Sequence, residues 1–174
     1  MTSIHGGSNR AYGGPMVRFV GTSHHANQER AKLRADHPAI VNGTTLFPKS
    51  VKSASETTTL LVSGHNNAKI GAKVTRGPWA GAAIYTLSLV ERETCPETCP
   101  TWLECYGNAM PFARRHRPDE TFFVRLRREV ESLIRKHTRI VVRLHVLGDF
   151  YSSTYAQVWL EWLEQLPGLH LWGY

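Results

Sequence analysis

The stretch Arg139-Ile-Val-Val-Arg-Leu-His-Val-Leu-Gly-Asp-Phe150 decides the fold. Its even positions, Ile140, Val142, Leu144 and Val146, form one uninterrupted apolar face, while its odd positions include Arg143 and His145. Alternation of period two in β-branched residues predicts a strand over 139–147, closed by Gly148-Asp149-Phe150. Upstream, Phe122, Leu126, Val130, Leu133 and Ile134 recur at helical spacing and predict a helix over 118–137. Downstream, Thr154 with Gln157 reads as an N-cap pair. The helix it opens runs to about Leu166, with Tyr155, Trp159, Trp162 and Leu166 on one face. Pro167-Gly168 turns the chain into a last strand over 169–173, and residues 82–90 form an earlier one.

The order strand, loop, helix, strand, helix, strand predicts parallel strands joined by right-handed crossovers. The fold class is α/β: a partial (β/α) barrel-like parallel sheet of about three βα units, preceded by a polar, partly disordered N-terminal region. Helices are expected on the even face of the 139–147 strand, leaving Arg143 and His145 on the opposite, interior side. The chain divides into an N-terminal extension, 1–63, and an α/β domain, 64–174. Within the extension, a short helix is expected over 27–36 and short strands within 45–62. A full (β/α)8 barrel takes ~250 residues, so either a truncated form of a longer protein, the favoured reading, or a small open α/β sheet that pairs with another chain is expected.

Composition narrows the function classes. The 174 residues carry a net charge of +7. Through Pro118 there are 14 Lys and Arg against 7 Asp and Glu, and from Asp119 onward 7 against 7. The basic excess lies in the N-terminal part and the cysteine loop, and in the N-terminal part it suits a nucleic-acid partner. No run approaches eighteen apolar residues, so no membrane helix is expected. Met-Thr-Ser-Ile-His-Gly-Gly carries no apolar signal segment, and the expected location is cytoplasmic.

All three cysteines, Cys95, Cys99 and Cys105, fall within eleven residues directly after the 82–90 strand. Three thiolates from one loop suit an iron–sulfur cluster or a zinc ion, and either leaves one coordination position open. Extended, the chain between Cys99 and Cys105 spans about 20 Å, so a shared metal requires the loop to fold back. A zinc ion would recruit water or a histidine such as His116 as fourth ligand. Both the cysteine loop and Gly148-Asp149 leave from carboxyl ends of strands, where ligands bind in such folds. There Asp149 suits an ammonium group or a ribose hydroxyl, and Gly148 a close backbone approach. His145, near neutrality in titration, suits proton transfer. Arg114, Arg115 and Arg117 are candidates to neutralise an anionic cluster or bind phosphate.

Two resemblances follow from these residues. A first strand leading into a three-cysteine loop, and a second ending in Gly148-Asp149, resembles the radical S-adenosylmethionine superfamily. The spacing here is C-x3-C-x5-C where that superfamily has C-x3-C-x2-C, and Gly-Asp replaces a Gly-Gly-Glu-like motif. The resemblance implies a [4Fe-4S] cluster on Cys95, Cys99 and Cys105. It also implies S-adenosylmethionine held near Gly148, Asp149 and His145, and cofactor cleavage to a carbon radical; the substrate is unknown. The alternative is a zinc-containing nucleic-acid-binding protein. Second, Ala68-Lys-Ile-Gly71, Arg76-Gly-Pro-Trp79, the Cys-Pro…Cys…Cys-Tyr-Gly-Asn loop and Arg143-Leu-His-Val-Leu-Gly-Asp-Phe-Tyr151 are similar to the phage and bacterial gene-product-88-like family, which carries no settled activity.

Overall fold

The even face of the 139–147 stretch is where the core forms. Ile140 and Val142 are fully buried and Leu144 nearly so, packed with Phe122, Leu126 and Val130 from one helix and Tyr155, Trp159 and Trp162 from another. The structure is a computed structural model that describes residues 32–67 and 69–173. In chain order the elements are α1 (Pro38–Val41), β1 (Val51–Ser53), β2 (Val62–Ser63), β3 (Ala83–Thr86), β4 (Arg115–Arg117), α2 (Phe122–His137), β5 (Ile140–Leu144), α3 (Ser153–Gln165) and β6 (Leu169–Gly173).

The main sheet has the order β2-β3-β5-β6. β3, β5 and β6 are parallel, with Ile84 opposite Val141 and Val141 opposite His170. β2 adds an antiparallel edge, Val62 facing Thr86. The parallel βαβ order is therefore as expected, but among the described residues no strand joins β2 to β6, and the sheet is open rather than barrel-closed. A second small sheet pairs β1 with β4 in parallel. Beyond Thr86 the chain keeps bonding on both sides. Leu89 N–H donates to Leu147 O at 2.9 Å and Val146 N–H to Leu87 O at 2.9 Å, while Val90 N–H donates to His116 O at 3.1 Å. Residues 87–90 thus bridge the two sheets, and their far end launches the cysteine loop.

Both long helices cover one face. Phe122, Leu126 and Val130 are buried as the helical spacing predicts, with Leu133 and Ile134 packed at the edge. α2 begins at Phe122 rather than 118. α3 is capped by Ser152, whose Oγ accepts from Tyr155 N–H at 3.1 Å, and not by Thr154. Ser152 has the extended backbone an N-cap needs, whereas Thr154 already lies inside the helix.

Part of the N-terminal region contributes to the core. Residues 1–26, expected to be disordered, and the first residues of the 27–36 helix lie outside the described residues; 32–36 form no helix, and α1 follows instead. Residues 45–63 pack with the domain. Ala54, Leu60 and Leu61 are buried in the same core, and Glu129 of α2 accepts from Leu60 N–H at 2.7 Å and Leu61 N–H at 3.2 Å. No described helix is long and apolar enough to cross a membrane.

Candidate functional site

The cysteine loop stands on a buried polar anchor. Glu91, the first residue past the strand extension, is fully buried; its carboxylate accepts from Thr45 Oγ1 at 2.7 Å and from Arg115 Nε at 2.7 Å. Arg115 is equally buried, and its remaining donors reach Ser50 Oγ and the carbonyls of Gly107, Met110 and Ala113. Burying a charge is costly unless it is paired and hydrogen-bonded. Here the guanidinium meets one carboxylate and three carbonyls, which fixes both ends of the loop to β4.

Arg92, next along, spans the loop interior. It donates to Thr44 O, Trp102 O and Asn108 Oδ1, the last at 2.6 Å. Asn108 in turn donates to Leu103 O at 3.0 Å. Gly107 packs so tightly that a Cβ there would lie 2.8 Å from the Glu91 carboxyl carbon. Trp102 leans on Gly43 and donates to Ile40 O, which makes it a packing residue.

The three cysteines are free and partly buried. Burial pushes the Cys95 thiol up to about 11; the Arg92 hydrogen bond opposes this, and neighbouring Cys105, Cys99 and Asp149 push further upward. Burial raises Cys105 as well, against the Gly107 backbone and the Arg92 charge. Cys95 thus senses both other cysteines and Asp149 electrostatically. The sulfurs do not form a closed ligand set in this conformation: no three His, Cys, Asp or Glu side chains among the described residues stand close enough to hold a metal ion.

The Gly148-Asp149 turn lies against the stem of this loop. Gly148 has φ +78°, and a Cβ there would meet Thr94 Oγ1 at 2.5 Å and Leu89 Cβ at 2.6 Å. Thr94 immediately precedes Cys95, and its Oγ1 donates to Val90 O at 2.8 Å. The two features expected at one rim of the sheet are therefore packed on each other. Asp149 is exposed, and one carboxylate oxygen accepts from Phe150 N–H at 2.7 Å.

His145 differs from expectation. β5 ends at Leu144, so the alternation that would place His145 beside Arg143 on the helix-free side stops one residue early. Its Nε2 lies 2.7 Å from the hydroxyl of Tyr155, which is in the core, and its ring packs edge-on against Phe150 at 4.9 Å. Burial lowers its pKa to about 4, with Asp149 opposing. A neutral imidazole locked to a core tyrosine positions the Gly148-Asp149 turn.

His116 does not join the cysteines. It is buried beside Leu60 and Arg114, and burial lowers its pKa to about 4. Arg117 pairs with Glu93 at 2.8 Å, and Arg114 bonds Thr59 Oγ1 at 3.0 Å. The Arg114–Arg117 run thus ties β4 to its neighbours, with Arg115 wholly interior. Glu91, Arg92 and Asn108 were not singled out from the sequence, where each reads as an ordinary loop residue.

The profile of one family, Gene product 88, matches residues 59–174, two-thirds of the chain. The chain belongs to the gene product 88 family. The match spans the whole βα region, including the cysteine loop and the Gly148-Asp149 turn, so the packed rim is part of the gene product 88 region. No curated protein and no solved structure matches the chain.

Proposed function

We propose that this protein is an iron–sulfur protein whose cluster is carried by Cys95, Cys99 and Cys105, with Gly148-Asp149 holding an S-adenosylmethionine-like ligand beside it. The contact of Gly148 with Thr94 and Leu89 carries this reading, because it seats an exposed carboxylate against the stem of a loop that bears every thiol in the chain. The donor set fits the group. Three thiols of one loop match the soft ligands that iron–sulfur clusters take, and bringing anionic sulfurs together is favourable only around a cation. Residues 95–105 would have to close around the metal to complete the set. When bound, a three-thiolate cubane with one open iron supplies one-electron chemistry to a ligand on that iron.

This chain's own residues do the rest. The Glu91–Arg115 anchor and Arg92 hold Cys95 and Cys105 in place. Asp149 offers its carboxylate to an ammonium group. The His145–Tyr155 contact fixes the backbone from which Asp149 projects. A zinc site receives less support, since its expected fourth ligand, His116, is fully buried beside Leu60 and Arg114. The test is iron loading and ligand binding on variants. Cys95→Ala, Cys99→Ala and Cys105→Ala are each expected to abolish stable iron loading. Asp149→Asn is expected to load iron normally and to bind S-adenosylmethionine about tenfold more weakly, about 1.4 kcal/mol. Iron loading indifferent to all three alanines would end the proposal.

A further inference from the structure

The helix-free face of the sheet carries a second, separate feature. A groove of about 380 Å³ runs across it, floored by Ile84 and Val141, rimmed by Lys69, Lys73 and Arg76, and walled by Trp79 and Trp172. Arg143 lies over the Trp172 ring at 5.3 Å, and Arg139 donates to Ala80 O beside Trp79. Among the described residues no acidic one lines the groove, and the sequence holds no Asp or Glu between Glu56 and Glu91. Trp79 stacks on His170 with centroids 5.0 Å apart and planes 15° from parallel, yet stays 38 % exposed.

Cations along a rim and flat aromatic walls over an apolar floor are what a single-stranded nucleic acid needs. Phosphates track the positive edge and bases stack on the rings. A duplex offers no free base face to such walls. We propose that this groove binds single-stranded nucleic acid, with a base stacked against Trp79 and phosphates against Lys69, Lys73 and Arg76. The site is distinct from the cysteine loop and does not depend on metal there. Its cations, Lys69, Lys73 and Arg76, belong to the basic excess counted through Pro118, and its walls and floor come from Trp79 and from the sheet.

Fluorescence anisotropy of a short fluorescein-labelled oligothymidylate on the full chain tests this, with circular dichroism as the folding check. Loss of one stacked base corresponds to about 1–3 kcal/mol, so Trp79→Ala is expected to weaken binding about 5- to 150-fold. Trp79→Phe should retain most of it. Lys73→Ala should reduce the slope of log affinity against log salt by about 0.7. Folded Trp79→Ala and Lys73→Ala proteins that bind as the unmodified chain does would overturn the proposal. Equal affinity for a duplex of the same length would overturn it too, since that outcome marks charge attraction alone.

Discussion

Replacing Gly148 with alanine tests whether the Gly148-Asp149 turn and the cysteine loop form one packed unit. Two costs add. A φ of +78° disfavours any side chain, by about 1–2 kcal/mol. The new methyl would sit 2.5 Å from Thr94 Oγ1 and 2.6 Å from Leu89 Cβ. Neither neighbour moves easily: Thr94 is held by its bond to Val90 O, and Leu89 is fully buried. Overpacking of this kind costs about 1–3 kcal/mol, giving about 2–5 kcal/mol in all. Gly81→Ala is the control. Gly81 has φ +87° but open space where a Cβ would stand, so only the backbone cost of about 1–2 kcal/mol applies. Urea unfolding of both variants isolates the contact as the difference, about 1–3 kcal/mol, or roughly 1 M in midpoint for a domain of this size. Equal destabilisation of the two would show that nothing presses on Gly148, and the shared rim would lose its physical basis.

Other outcomes follow from the same contacts. Arg115→Leu strands the buried Glu91 carboxylate and should cost about 3–5 kcal/mol; pairing it with Glu91→Gln should recover part of the loss in urea unfolding, and no recovery would contradict the pairing. Tyr155→Phe removes the hydrogen-bond partner of His145 and should cost about 1 kcal/mol in urea unfolding, while the His145 ring, still buried, should keep titrating well below 6.5 by NMR. Stability should also fall in mild acid. His116 is held near 4 against about 6.5 when unfolded, so the unfolded state takes up protons first as pH drops. The stability is intact above 6.5 and declines toward 4, by about 3 kcal/mol for this one buried residue. His116→Leu should flatten that part of the pH profile measured by thermal melting, and an unchanged profile would contradict the assignment.

Much of the fold was legible because long elements carry a period. Ile140, Val142 and Leu144 alternate, Phe122, Leu126 and Val130 recur at helical spacing, and each set is buried where its pattern puts it. β1, β2 and β4 have two or three residues each, too few for any period to register. Arg115 was unreadable for a different reason. Within Arg114-Arg115-His116-Arg117 it resembles a solvated charge run, and the Glu91 that neutralises it lies 24 residues upstream. His145 went to the wrong side because the strand ends at Leu144, and a sequence pattern shows where alternation is permitted, not where it stops. The meeting of cysteine loop and Gly148-Asp149 turn was legible from topology alone, since both leave carboxyl ends of adjacent parallel strands. The spatial arrangement of the sulfurs was not, because a C-x3-C-x5-C spacing admits many loop conformations.

Metal analysis with the visible spectrum of anaerobically reconstituted protein tests the central proposal most directly. The account predicts brown protein with about four irons per chain, and loss of both colour and iron in the Cys95→Ala variant. Colourless protein that takes up a single zinc ion in place of iron, or iron retained without Cys95, would contradict it.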